Sequence, residues 1–150
     1  MTAQAFAPGT MFGIAAALTT NTTMIGPIVG IDTPPEMSRE AIDTTHSGTT
    51  NGWMTCIAGN KINPGEIAIT CQFSTQLDYG TLFVAGCDTI TVTFPKRAVS
   101  CGASLPSSAA TWSSACVMTK VSPKWEFEGL AVVTLTFKLS GAPTYVAAAV

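Results

Sequence analysis

The chain has 150 residues, enough for one domain with a sizeable core, and we expect a single domain. Only 11% of the residues are charged, against about 25% in ordinary soluble proteins, while 47% are hydrophobic. A net charge of −2 with seven scattered Lys and Arg argues against a nucleic-acid-binding protein, because holding phosphates requires a basic surface.

The low charge also bears on assembly. The cores of protein interfaces are depleted of charged residues, so we expect much of the uncharged exterior to be buried against other copies of the chain. A monomeric β domain with an uncharged surface is the alternative.

The first part of the chain predicts an arm and two strands. Residues 1–11 are expected to form an N-terminal arm. Larger side chains alternate with small ones over residues 12–18, which predicts a strand with one apolar face. Residues 24–31 include two glycines and Pro27, and they predict a short or edge strand because proline cannot donate to a sheet ladder.

Neither a membrane helix nor a secretory signal is expected. Apolar runs such as residues 14–18 are far shorter than the ~20 residues that span a bilayer. No Lys or Arg precedes Arg39, so the positive start of a secretory signal is missing. We therefore expect synthesis in the cytoplasm and no membrane contact.

Residues 34–73 combine a polar strand, a long loop and an alternating strand. Residues 42–45 favour an extended segment, and the long loop is expected over residues 44–60. Within that loop, Trp53, Cys56 and Ile57 recur at helical spacing, which predicts one short helical turn.

The second half of the chain predicts three or four strands and a short helix. Apolar and polar residues alternate over residues 66–73, 89–94 and 133–139, as in strands with one buried face. Residues 111–121 are mixed on both faces, which predicts a strand covered on both sides. Residues 74–86 favour a short helix that ends near a glycine.

These elements predict a mainly β fold. About six strands separated by turns, with one or two short helices and one long inter-strand loop, give an antiparallel β-sandwich or barrel. The 23 threonines suit the half-solvated faces of such sheets. The final residues, 144–150, have no partner in the sequence pattern and are expected to form a C-terminal arm.

Two groups of residues are candidates for chemistry. A catalytic triad would need His46, the only histidine, with Asp43 or Asp32 and a serine such as Ser47, but no nucleophile motif surrounds any serine. The five cysteines include no CxxC pair, so buried reduced thiols are expected rather than a zinc site. We predict no enzymatic activity, no cofactor and no metal.

The three tryptophans leave two interpretations open. On a β-sandwich, exposed aromatic rings could form a sugar-stacking platform, so a carbohydrate-binding or adhesion module is one alternative. Trp53, however, lies in an apolar turn with Met54 and Ile57, and Trp112 opens a predicted strand. A role in the core or in subunit contact is favoured, because large aromatic residues dominate both settings.

Several short motifs follow one another along the chain. The run IDTTHS at residues 42–47 follows Glu40 and is succeeded by Ala58, Gly59, Gly65 and Glu66. Two later segments are ITVTFP at residues 90–95 and LSGAP at residues 139–143. The order of these motifs resembles phage tail tube proteins, also called major tail proteins, of the siphophage-like kind, and the two later segments fall where that family has matching segments. The resemblance spans residues 28–143.

The resemblance implies a structural virion protein of the tail, assembled in the host cytoplasm. It implies hexameric rings whose sheets join into a continuous barrel, and stacking of the rings into a tube through which DNA passes during ejection without sequence-specific binding. The partners implied are further copies of the chain and the tape measure, tail terminator and distal tail proteins. A flexible tail, a contractile tail and a gene transfer agent remain alternatives within this class.

Two groups of residues are expected to carry this role. The long loop is expected to contact the next ring through Thr45, His46, Trp53 and Asn60. Thr89, Thr91 and Thr93 share one face of a predicted strand and are candidates for the face that lines the lumen.

Overall fold

The computed structural model of the chain describes residues 13–18, 28–46, 48, 52–97 and 100–149. Within these residues the order of elements is β1 (Ala15–Leu18), β2 (Ile28–Thr33), β3 (Ser38–Asp43), β4 (Cys56–Asn63), β5 (Glu66–Gln72), α1 (Tyr79–Val84), β6 (Cys87–Thr93), β7 (Thr111–Lys124) and β8 (Val132–Val146). The predicted N-terminal arm, residues 1–11, lies outside the described residues.

All strand pairs are antiparallel, and they form two sheets. Six strands pair in the order β1-β6-β7-β8-β5-β2, while β3 and β4 pair with each other in a separate hairpin. The six-stranded sheet curls into a half-barrel. The predicted mainly β, antiparallel fold is therefore confirmed, and the edge position predicted for the strand near residue 28 is confirmed as β2.

The long β7–β8 hairpin is the centre of the sheet, and its two neighbours cover different halves of it. β6 pairs with the first half of β7, from Thr111 to Val117. β5 pairs with the first half of β8, from Val132 to Lys138. This stagger is the strand offset that a curling sheet requires.

The core lies on one face of this sheet. Its fully buried members come from β5, β6, β7 and β8, and the largest are Phe137, Ile67, Ile69, Ile90 and Leu135. They occupy alternate positions because successive side chains of a strand point to opposite faces. The buried faces predicted for β5, β6 and β8 are confirmed.

Helix α1 closes one end of this core. Its buried residue is Leu82. The carboxylate of Asp78 accepts hydrogen bonds from the backbone N–H of Gly80 at 3.0 Å and of Thr81 at 3.2 Å, which satisfies donors at the helix start. Gly86 has a φ of +80° just beyond the last turn. The short helix predicted within residues 74–86 is confirmed.

Three local predictions are wrong. The helical turn predicted around Trp53 is absent, because Cys56 and Ile57 open β4, where Ile57 lies opposite Ile42 of β3. The loop is shorter than predicted, since β4 begins at Cys56. β7 is covered on one face only, and Val117 on the other face is exposed, because the described residues place no second layer over it.

The last strand extends further than the sequence pattern predicts. Tyr145 and Val146, assigned to a C-terminal arm, belong to β8 and pair with Trp112 and Thr111. Beyond β8, the backbone N–H of Ser107 donates to the carbonyl of Ala149 at 2.8 Å. Residues 144–149 therefore lie along β7 and the connection that precedes it.

Candidate subunit-contact surfaces

The β3–β4 hairpin projects from the six-stranded sheet. We call β3, β4 and the described residues between them, 44–46, 48 and 52–55, the projecting hairpin. Every residue of β3 is exposed, and in β4 only Gly59 is buried. A strand pair lying on the sheet would bury one of its faces, so the hairpin must extend away from it.

A tight junction connects the hairpin to β5. The side-chain oxygen of Asn63 accepts a hydrogen bond from the backbone N–H of Gly65 at 3.0 Å, forming a turn around Pro64. Gly65 has a φ of +83°, and a Cβ there would lie 2.4 Å from the carbonyl oxygen of Glu36. Only glycine fits this junction without a shift of the backbone.

The hairpin tip is the segment that connects β3 to β4. Hydrogen bonds at its base hold the two sides of the hairpin together. The backbone N–H of Thr44 donates to the carbonyl of Thr55 at 2.8 Å, and the backbone N–H of Thr55 donates to the hydroxyl of Thr45 at 2.9 Å. The carboxylate of Asp43 accepts from the backbone N–H of Thr45 at 2.8 Å. The bonds from Thr45 lower the pKa of Asp43 because they stabilise its charged form.

The predicted contact residues separate into two groups. Thr45, His46 and Trp53 lie in the tip, where the ring Nδ1 of His46 accepts from the backbone N–H of Gly48 at 3.0 Å. Asn60 lies within β4 and not in the loop. Its place on the hairpin stem is set by pairing with β3, which the sequence pattern did not reveal.

The hairpin carries an unusual amount of exposed apolar surface. Trp53 is 76% exposed and Met54 is 70% exposed. Further large apolar side chains are exposed along or just before the two strands, namely Met37, Ile42, Ile57 and Ile62. A two-stranded hairpin is marginally stable in water on its own, and this surface has no cover within the described residues of the chain.

The second predicted surface is the sheet face opposite the core, which we call the hydroxyl face. Thr89, Thr91 and Thr93 lie on it, since the alternate residues Ile90 and Val92 are buried in the core. Pairing extends them into rows across the sheet. One row contains Thr93 and Thr111. A second row contains Thr91, Ser113 and Thr144, and a third contains Thr70, Thr134 and Ser122.

The hydroxyl face carries balanced charge. The hydroxyls of Thr70 and Thr134 lie 2.9 Å apart, and Thr70 also donates to Asp32. In the centre of the face Glu66 lies opposite Lys138, and Lys120 lies opposite Thr136. With Asp32 these make two acidic and two basic groups, so no strong field of either sign arises from the middle of this face.

The outer edges of the six-stranded sheet are β1 and β2, which pair on one side only within the described residues. β1 contains three alanines and a leucine and no charged residue. β2 pairs with β5 through two register irregularities and carries Asp32. Unpaired strand edges are ready templates for another strand, and β1 lacks the charges and prolines that usually prevent such pairing.

Among the described residues, no group of three or more His, Cys, Asp or Glu is placed to hold a metal ion. Cys71 and Cys116 are buried, as predicted for the cysteines, but Cys56, Cys87 and Cys101 are exposed. No helix in the described part of the chain has the length and hydropathy needed to span a bilayer.

Comparison with known proteins adds evidence at the level of the fold. No family model matches the chain, and no curated protein matches its sequence. Among solved structures, a chain of the anti-feeding prophage baseplate matches with a TM-score of 0.62 and 11% identity, covering 98% of both chains. A chain of the PVC sheath-tube complex, an extracellular contractile injection system, matches with a TM-score of 0.63 and 13% identity, covering 98% of this chain and 99% of that one.

A third match comes from the virion of a native gene transfer agent, with a TM-score of 0.62 and 15% identity over 90% of this chain and 96% of that chain. The chain has a tail-tube-type fold. The fold predicted from the resemblance is thereby confirmed. These matches cover nearly the whole of both chains.

The β7–β8 connection carries an exposed apolar surface that the sequence pattern did not predict. Trp125 and Leu130 are largely exposed there, and Phe127 is fully exposed. The alternation of aromatic and acidic residues in WEFE, residues 125–128, was the available signal, but the segment resembled an ordinary turn. Its exposure depends on the length of the two strands, which only the pairing reveals.

Proposed function

We propose that this chain is a structural protein of a phage-like tail, and that it forms hexameric rings that stack into a tube. The projecting hairpin carries the proposal: Trp53 and Met54 at its tip, and isoleucines along its stem, are exposed to water. Burial of apolar surface is worth about 25 cal/mol per Å², so such a hairpin gains stability by packing on another copy.

The two sheet edges supply the lateral contacts of the proposed ring. Pairing of an edge strand of one copy with the opposite edge of the next would be a heterologous contact, and such contacts close into a ring when the rotation between copies is right. It would also remove both open edges, as closure does in a barrel. The uncharged β1 supports this arrangement, because it lacks any device against pairing.

The hydroxyl face is the proposed wall of the lumen, with Thr89, Thr91 and Thr93 among its residues. The rows of hydroxyl groups keep this face hydrated. The balanced charge of the face would neither bind a polyanion tightly nor repel it strongly. DNA would therefore pass without sequence-specific binding. The tape measure, tail terminator and distal tail proteins are the further partners proposed, in a tail assembled in the host cytoplasm.

Negative-stain electron microscopy of the purified chain tests the proposal. We expect rings or tubes of uniform diameter that lengthen with protein concentration. Trp53→Ala should retain the circular dichroism spectrum of the wild type and form only short tubes or free rings, because each stacking contact loses its largest apolar side chain. Leu105→Ala is the matched control, since Leu105 is also exposed but lies outside the hairpin.

Two outcomes would contradict parts of the proposal. Normal tube lengths for Trp53→Ala would remove Trp53 from the stacking contact. A wild-type chain that stays monomeric at every concentration and salt would reject the tube altogether. If such a monomer changed its tryptophan fluorescence on adding glycans, the carbohydrate-binding alternative would replace it.

A further inference from the structure

His46 makes a hydrogen bond that only the neutral form of its ring can make. Its Nδ1 accepts from the backbone N–H of Gly48 at 3.0 Å, and the ring lies so close that a Cβ on Gly48 would be 3.0 Å from Cε1. A ring nitrogen that accepts carries no proton, so the proton of the neutral ring is on Nε2. A protonated ring donates from both nitrogens, and two donors would then face each other at Gly48.

His46 is also the only side chain of the hairpin tip that changes charge between pH 5 and 8. Residues 44–55 contain no Asp, Glu, Lys or Arg, and they contain one histidine, which is exposed. The same segment carries Trp53 and Met54, the most exposed apolar side chains of the projecting hairpin. Protonation of His46 therefore turns an uncharged tip into one that carries a positive charge.

The charged groups that flank the tip keep their charge over this pH range. On the β3 side the first is Asp43, and hydrogen bonds from the side chain and the backbone of Thr45 lower the pKa of its carboxyl, so it stays ionised. The β4 side contributes the thiol of Cys56 and no charged side chain before Lys61. Within the described residues β3 and β4 pair only with each other, so no other strand brings a charge beside the tip.

Both effects of protonation oppose burial of the tip against another copy. Taking a charge out of water costs free energy unless a partner group compensates it, and the cores of protein interfaces are depleted of charge. The lost hydrogen bond to Gly48 removes a contact that orders the tip. Each effect is large enough to change an equilibrium constant by about tenfold. Because the free chain would bind more protons than the assembled chain, assembly weakens as the pH falls.

We infer that His46 is a pH-sensitive switch in the hairpin tip. Its neutral ring allows the tip to pack between copies of the chain, and its protonated ring weakens that packing. The inference rests on the proposed function, since it needs the tip to be buried in an assembly. It adds a form of regulation: tubes persist at neutral pH and release subunits in mild acid.

The pH dependence of assembly in the wild type and two variants tests the switch. Sedimentation and negative-stain microscopy give the protein concentration at which tubes first form, at about pH 7.5 and about pH 5, on either side of the range in which imidazole changes charge. His46→Asn cannot titrate, but its side-chain oxygen can accept from the N–H two residues on, as Nδ1 of His46 does. His46→Lys carries a positive charge at both pH values. Circular dichroism checks that each chain is folded in both buffers.

We expect the wild-type chain to need about tenfold more protein to form tubes at the lower pH than at the higher one. His46→Asn should form tubes at concentrations that agree within about twofold between the two pH values, and His46→Lys should assemble weakly at both.

Three outcomes would overturn the inference and leave the proposed function standing. They are a wild-type chain that assembles equally well at both pH values, a His46→Asn chain that keeps the wild-type pH dependence, and a His46→Asn chain that forms no tubes at either pH. If the wild-type chain forms no ring or tube at either pH, the proposed function is rejected and the inference with it.

Discussion

The junction between the projecting hairpin and the sheet leads to a quantitative prediction. We expect Gly65→Ala to destabilise the chain clearly more than Gly102→Ala. The φ angles match, at +83° for Gly65 and +84° for Gly102, so alanine is forced to a positive φ at both. Only Gly65 is crowded: its added Cβ would lie 2.4 Å from the carbonyl oxygen of Glu36, while nothing lies within 4 Å at Gly102.

The cost of the positive φ and the cost of the steric clash can be given separate magnitudes. A left-handed conformation costs a non-glycine residue about 1–2 kcal/mol, and the reduced entropy of the unfolded alanine chain offsets about 0.4–1 kcal/mol of this. Gly102→Ala should therefore lower the free energy of unfolding by about 1 kcal/mol. At Gly65 the backbone near Glu36 must also shift by about 1 Å, and forced overpacking adds about 1–3 kcal/mol. The expected loss for Gly65→Ala is about 2–4 kcal/mol.

Urea unfolding followed by circular dichroism measures both losses. The protein concentration must be low enough that the midpoint no longer depends on it, because assembly would otherwise add to the apparent stability. Since Glu36 leads directly into β3, relief of the clash would also tilt the hairpin, and we expect shorter tubes from Gly65→Ala alone. Equal losses at the two glycines, within about 0.5 kcal/mol, would refute the steric reasoning.

Two further predictions concern the core and the thiols. Phe137→Ala removes a side chain that is 1% exposed in the central strand pair, and it should lower the free energy of unfolding by about 3–5 kcal/mol. Phe127→Ala should change the free energy of unfolding of the unassembled chain by less than about 0.5 kcal/mol, because Phe127 is fully exposed. Urea unfolding midpoints compare the two variants. Burial raises the pKa of Cys71 and of Cys116 to about 11, so at pH 8 both should resist iodoacetamide while the three exposed cysteines react. Mass spectrometry should count three adducts on the native chain and five in urea, and four or five on the native chain would contradict the burial.

Strand faces were predictable from the sequence because they depend on a local rule. Ile67 and Ile69 alternate with Ala68 and Thr70, and the period of two places them in the core whichever strands lie beside them. The same rule located the hydroxyls of β6. The resemblance added the family of folds, because the order of several weak motifs carries information that no single segment contains.

Two of the failures, at the predicted helical turn and at the predicted C-terminal arm, share one cause, which is pairing between distant segments. Trp53, Cys56 and Ile57 have helical spacing, but β3 offers Ile57 a cross-strand partner in Ile42, and that pairing overrides the local pattern. The failure at β7 has another cause, since the apolar residues on both of its faces suggested two covering layers. The curled sheet packs only one face, so the other stays open to solvent or to another copy.

The sequence by itself determined which residues prefer strands, which faces are apolar and where the turns fall, because side-chain alternation and turn chemistry act over a few residues. Within the described residues, the tertiary structure alone decided that β1 and β2 become the outer strands of the sheet, that β3 and β4 leave the sheet as a hairpin, and that the β7–β8 connection exposes Trp125 and Phe127. These are properties of register and strand order, which arise from contacts between residues far apart in the chain.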